Sequence, residues 1–95
     1  MSACRLRPKA VDDLEAIGDF IAADNPMRAL SIVDERLDLC ARIAERPLAY
    51  RRRDDLAVGL RQAILGRYLI LFTADEDGVV IERVLHGARR LEDLL

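Results

Sequence analysis

The chain has a single histidine, His86, and only two cysteines, Cys4 and Cys40, in 95 residues. Zinc sites draw on several such side chains at set spacings, so neither a metal nor another cofactor is expected. Asp75 and Asp77 ahead of Gly78 lack the ligand order and closing glutamate of a calcium loop, and suit a hairpin turn instead. Gly59, Gly66 and Gly78 stand singly, which excludes a glycine-rich phosphate loop. Ser2 and Ser31 have no nucleophile elbow or base beside them. No apolar run approaches the roughly 18 residues that cross a bilayer. MSACRLRPKA shows no apolar core followed by a cleavage site. The expected compartment is therefore the cytoplasm, without membrane association. There, Cys4 and Cys40 are expected as buried free thiols, and a structural disulfide is not.

A basic excess is also missing. Fifteen Lys+Arg against seventeen Asp+Glu leave a formal charge of -2. Duplex binders draw much of their affinity from phosphate neutralisation, so no direct duplex DNA specificity is expected. There is no repeat, low-complexity tract or linker.

What the chain does have is 52% hydrophobic and 34% charged residues, the composition of a folded domain. Its length suits one domain over residues 1–95, burying about 60–65% of its extended surface. Arg5-Leu6-Arg7 alternates, with Cys4 on the side of Leu6, and predicts a first strand ended by Pro8. Pro8 suits a helix's first turn, with Asp12 and Asp13 near its positive end. Val11, Leu14, Ile17 and Ile21 form its apolar stripe. That helix is expected to stop near Ala23.

Asp24-Asn25-Pro26 combines a capping residue with proline at the next helix start. The second helix is predicted from about Pro26 to Ala44. Its apolar side comprises Ala29, Val33, Leu37, Cys40 and Ala44, with Leu30, Ile32 and Ile43 beside them. Pro47 ends the helical region, and the charge run from Tyr50 to Asp55 predicts a solvated loop or turn. Most paired carboxylates, such as Asp12-Asp13, Asp54-Asp55 and Glu92-Asp93, are expected to be solvated.

Three strand candidates follow: Leu60 to Leu65, Tyr68 to Thr73 and Val79 to Leu85. Gly66-Arg67 suits a two-residue hairpin turn, and Asp75 to Gly78 a slightly longer one. Tyr68-Leu69-Ile70-Leu71-Phe72 barely alternates, which places it centrally with both faces at least partly covered. The order is β-α-α-β-β-β with a short tail, an α+β fold with an antiparallel helical hairpin lying on a sheet.

Arg61, Arg67, Arg83, His86 and Arg89 form a candidate basic surface around that sheet. Three roles are open to it: protein recognition, ordinary salt bridges, and metal-independent RNA cleavage. In the last, a base takes the ribose 2′-proton while cations stabilise the phosphate. His86, between a strand and Gly87, equally suits a structural role; a catalytic one needs a partner the sequence does not name.

Several stretches, in order, resemble the RelE/ParE toxins of bacterial type II toxin–antitoxin systems, and the ParE branch in particular. They are Ala10-Val11-Asp12-Asp13-Leu14-Glu15-Ala16-Ile17, Asn25-Pro26 followed by Ala29, and Arg46-Pro47. Leu56 with Gly59-Leu60-Arg61 and Tyr68-Leu69-Ile70-Leu71-Phe72 come next. The last is Ile81-Glu82-Arg83-Val84-Leu85-His86-Gly87-Ala88-Arg89-Arg90. The resemblance implies a helical hairpin on a small curved antiparallel sheet. It also implies a cytoplasmic toxin neutralised by a cognate ParD-like antitoxin in a hetero-oligomeric complex.

ParE-type members poison DNA gyrase, whereas RelE-type members cut messenger RNA on the ribosome. Here Arg61 and Arg89 match RelE-like basic positions, but Leu69 follows Tyr68 where such nucleases often have arginine. Leu94-Leu95 replaces their tail tyrosine, and Lys9 is the only lysine. The nuclease set, Arg61, His86 and Arg89, is thus incomplete, which favours a gyrase inhibitor without catalysis of its own. A RelE-type ribonuclease and a degenerate toxin that only binds antitoxin stay open as alternatives. Candidate antitoxin contacts are Arg61, Arg67, Tyr68 and Arg83, where an acidic, apolar tail could fold onto the domain. Candidate target contacts are Arg89, Arg90, Leu94 and Leu95.

Overall fold

The computed structural model describes residues 3–86, apart from the side chains of Ala3, Ala29, Ile32, Val33, Arg36, Leu37 and Leu65. The chain runs β1 (Ala3–Leu6), α1 (Pro8–Ala22), α2 (Pro26–Glu45), β2 (Arg51–Arg52), β3 (Arg61–Leu65), β4 (Tyr68–Asp75) and β5 (Gly78–His86). Pro8 and Pro26 both open their helices, where a missing N–H costs nothing. Asn25 caps α2 as its sequence context predicts: the side chain accepts from the Arg28 N–H at 3.1 Å.

The strands form one sheet in the order β1-β5-β4-β3-β2. Successive hairpins make β3, β4 and β5 antiparallel, and β4 takes the central place expected of Tyr68 to Phe72. Two features differ from the expectation of an all-antiparallel sheet with three C-terminal strands. β1 pairs in parallel with β5, Cys4 opposite Val79 and Leu6 opposite Ile81, which makes the sheet mixed. The charge run is not all loop: Arg51 and Arg52 pair with Gln62 and Arg61 as a two-residue edge strand.

Both hairpin turns are two residues long. Gly66 takes φ +58° between the paired Leu65 and Tyr68. The second turn is tighter than its sequence suggests. Asp75 pairs directly with Gly78, and its carboxylate accepts the Asp77 N–H at 2.8 Å, closing the corner from within.

Alternation along β4 sends Ile70 and Phe72 to one face and Leu69 and Leu71 to the other. The first face meets the helices. Ala10 of α1 and Leu39, Cys40, Ile43 and Ala44 of α2 pack there on Ala63, Ile70, Phe72, Val79, Ile81 and Val84. On the other face Leu60, Leu69, Leu71 and Leu85 form a second buried cluster, with Leu56 against it. The segment after β2 supplies Leu56 and Leu60, so the central strand is apolar on both sides.

The stripe of α1 is narrower than the sequence suggests. Ala10, Leu14, Ile17 and Ile21 line the packed side of α1, while Val11 lies a quarter-turn away and is exposed. Among the described side chains of α2, Leu30 faces solvent, while Leu39, Cys40, Ile43 and Ala44 are buried. The stripe positions Ala29, Ile32, Val33 and Leu37 lie outside the described side chains.

Candidate binding surfaces

β1 ends at Leu6, and the Arg7 N–H makes the last ladder-like bond, to the Ile81 carbonyl at 2.9 Å. β5 continues for five more residues, and among the described residues no strand pairs with that edge there. Asp13 of α1 fills the gap. Its Oδ2 accepts the Val84 N–H at 3.0 Å, and its two oxygens take Arg83 Nε and Nη2 at 2.7 and 2.9 Å.

Both side chains are largely buried, and the Asp13 hydrogen bond holds the Arg83 guanidinium above its ordinary pKa. Asp13, expected in the sequence as a solvated acid at the helix's positive end, is thus a tie between helix and sheet. With Pro8 first in α1, it lies beyond the opening turn where the dipole acts. Glu82 is the extra residue of a bulge between the Leu71–Arg83 and Phe72–Ile81 pairs. It accepts from Arg7 and Thr73, each at 3.2 Å.

Arg61 is held elsewhere. It stands opposite Phe72 and donates to the Tyr50 carbonyl at 2.8 Å, beside the edge-on Tyr50–Phe72 ring pair. Arg67 is exposed in the β3–β4 turn. Tyr68 and His86 face each other across β4 and β5, their rings 5.4 Å apart and nearly perpendicular. Arg67, Tyr68 and His86 therefore share one end of the sheet, and Arg61 stands four residues along β4 from them. At about 3.3 Å per residue this is roughly 13 Å. Arg89, Arg90, Leu94 and Leu95 lie outside the described residues.

The charge run largely neutralises itself. Arg52 bridges Asp54 and Arg53 bridges Asp55, each at 2.8 Å, and Arg53 also reaches Gln62 at 2.8 Å. The Arg53 hydrogen bond lowers the Asp55 pKa from 3.8. Asp54 accepts the Gly59 N–H at 2.9 Å, which closes the loop beneath Leu56 and Leu60.

Sequence reasoning missed a second surface. Phe20 of α1 and Met27 and Leu30 of α2 are 79%, 76% and 66% exposed around the turn of the helical hairpin. Leu14, Glu15, Gly18 and Asp19 line a shallow groove of about 340 Å³ further along α1. The signal was present: at 100° per residue Phe20 falls about 90° from the stripe of Ala10, Leu14, Ile17 and Ile21. Exposed apolar side chains around one turn are candidates for an interaction surface.

Among the described residues, no group of three or more His, Cys, Asp or Glu could hold a metal, and no helix is long and apolar enough to cross a membrane.

No curated protein matches the sequence. Among solved structures, a chain described as the chromosomal ParDE TA system from P. aeruginosa superposes with a TM-score of 0.78 at 21% identity, covering 90% of this chain and 96% of that one. At that identity the likeness establishes the fold. The family model of the ParE toxin of the type II toxin–antitoxin system parDE matches residues 4–91, nearly the whole chain. This protein belongs to the ParE toxin family of type II toxin–antitoxin systems.

Proposed function

We propose that this ParE toxin acts in the cytoplasm as a protein-binding inhibitor of DNA gyrase, without catalysis of its own. A cognate ParD-like antitoxin neutralises it by direct binding in a hetero-oligomeric complex. The observation that supports a binding role is the exposure of Phe20, Met27 and Leu30 around the turn of the helical hairpin, outside the buried core. Burying one such side chain against a partner is worth about 1.5–3 kcal/mol. Arg67 and Tyr68 offer a second contact at the sheet end, suited to an antitoxin segment that brings carboxylates to the arginine. The separation of Arg61 from His86 supports binding over RNA cleavage, since a base and a phosphate-stabilising cation must meet at one scissile bond. Arg89 and Arg90, with Leu94 and Leu95, are proposed as the gyrase contact.

Expressing the toxin without antitoxin and assaying gyrase supercoiling and cleavage-complex accumulation tests this reading. Lost supercoiling with persistent breaks is expected. RNA cut at ribosome-bound codons with gyrase untouched would overturn it in favour of the ribonuclease. Reversing the charge of Arg89 and Arg90 should relieve growth arrest while antitoxin affinity stays unchanged.

A further inference from the structure

The two edges of the sheet differ in what they offer an incoming strand. β1, at one edge, has four residues and is followed by Pro8. Its Cys4 and Leu6 pack against the main core, while Arg5 and Arg7 are already engaged with Asp75 and Glu82. A strand arriving there finds no exposed apolar side chain and no unpaired charge.

The other edge is covered in part only. β2 pairs with β3 at Arg61 and Gln62. On that side the Leu60 carbonyl accepts the Arg53 N–H at 2.6 Å, and alternation turns the N–H and C=O of Gln62 and then Ile64 the same way. The two-residue hairpin agrees, since it commits Leu65 to Tyr68 on β4. A longer β2 would set Ala49 opposite Ile64. Instead Ala49 belongs to a short 3-10 turn, Pro47–Ala49, and gives its N–H to the Arg46 carbonyl at 3.2 Å. Among the described residues, no strand pairs with this side of β3 beyond Gln62.

The side chains beside the gap are apolar at its centre and cationic around it. Ile64 is 66% exposed on the face away from the helices, opposite Leu69. Arg51, paired with Gln62, lies on that same face, and Arg67 is exposed in the turn beyond Leu65. Among the described residues neither arginine makes an ion pair.

We propose, on the antitoxin-binding reading above, that the antitoxin neutralises this toxin in part by strand addition, an extended acidic segment of it pairing with β3 at Ala63–Leu65. The Ile64 N–H and C=O make the new ladder bonds, which give affinity without regard to sequence. Side chains choose the segment. Its residue opposite Ile64 is apolar, and carboxylates near it on the same face reach towards Arg51 on one side and Arg67 on the other. A second copy of this chain fits poorly: antiparallel pairing of two β3 strands about Ile64 brings Arg67 of each copy towards Arg51 of the other, cation against cation.

Backbone amide hydrogen exchange, compared between the free toxin and its complex with the full-length cognate antitoxin, tests the pairing. The Ile64 amide should exchange about tenfold more slowly or less in the complex, with the Cys4 and Leu6 amides of β1 unchanged. Ile64→Lys should keep the denaturation midpoint, its side chain being mostly exposed, and weaken antitoxin binding by about 10- to 100-fold. Arg67→Glu should weaken it as well, and more at low salt than at high. A complex in which Ile64 exchange is unaltered, or Ile64→Lys binding as tightly as the native chain, would overturn strand addition and leave antitoxin binding standing. Protection of Cys4 and Leu6 in place of Ile64 would overturn it equally, by moving the added strand to β1. Failure to form a complex would remove both readings.

Discussion

Removing the Asp13 carboxylate should cost this domain a large part of its stability, and the reason lies in where the carboxylate sits. An exposed ion pair contributes about 0–1 kcal/mol, whereas leaving one member of a buried pair without its partner costs about 3–5 kcal/mol. Asp13 and Arg83 retain 16% and 15% exposure, which places them near the second case. Asp13→Ala also strips the Val84 N–H of its acceptor, a loss of about 1–3 kcal/mol when the donor is shut off from water. These costs overlap, since one carboxylate serves both groups. The expected total is about 3 kcal/mol, against the roughly 5–15 kcal/mol that holds a typical domain together.

Urea denaturation reads this directly. With a slope of about 1–1.5 kcal/mol/M for so small a chain, the midpoint should fall by roughly 2–3 M with the slope unchanged. Arg83→Met should cost nearly as much alone, and the double variant far less than the sum. Arg5→Met is the control: its bridge to Asp75 is more than half exposed, and its loss should cost under about 0.5 kcal/mol. If Asp13→Ala costs no more than Arg5→Met, or if the Asp13 and Arg83 effects simply add, the tie between α1 and β5 does not carry the energy assigned to it.

Three other perturbations probe separate features. Phe20→Lys should leave stability within about 0.5 kcal/mol yet weaken antitoxin binding by roughly 10- to 100-fold, measured by calorimetry; unchanged affinity would remove the hairpin from the proposed interface. Gly66→Val should lower stability by about 1–2 kcal/mol in thermal denaturation, because the cost comes from φ +58° with no atom nearby to clash. Gly66→Asn should recover much of it, and equal losses would deny the turn its positive φ. The Arg53 hydrogen bond depresses the folded-state pKa of Asp55, so the bridge it makes is present above the ordinary carboxylate value of 3.8 and is lost as pH falls through the lowered folded value. Carbon-detected titration of the carboxyls should show that depression in the native chain and its disappearance in Arg53→Gln.

The elements that could be read from sequence are those with local causes. Pro8 and Asn25-Pro26 open the helices, and Gly66 turns a hairpin, because each acts within a few residues of itself. Pro47, expected to end the helical region, follows α2 but opens a short 3-10 turn, Pro47–Ala49. The apolar run from Leu69 to Phe72 marked the central strand for the same kind of reason. What escaped was non-local. Whether β1 runs parallel or antiparallel to β5 depends on where the helical hairpin returns the chain, and no residue of Ala3–Leu6 encodes that. β2 is two residues long, too short to show a period, and exists because β3 offers it an edge.

The same distinction governs the candidate site. Arg67 and Arg83 are alike in sequence: each is an arginine on or beside a strand, and sequence alone places both in one basic surface. The fold separates them through Asp13, seventy positions from Arg83, which converts one arginine into internal structure while the other faces solvent. Phe20 is the converse, an apolar residue that composition assigns to the core and helical phase turns outward. A binding surface is made of the groups that folding leaves unused. It can therefore be read only after the internal partners are known, and here Asp13 and the Ala10–Ile21 stripe of α1 determine which groups those are.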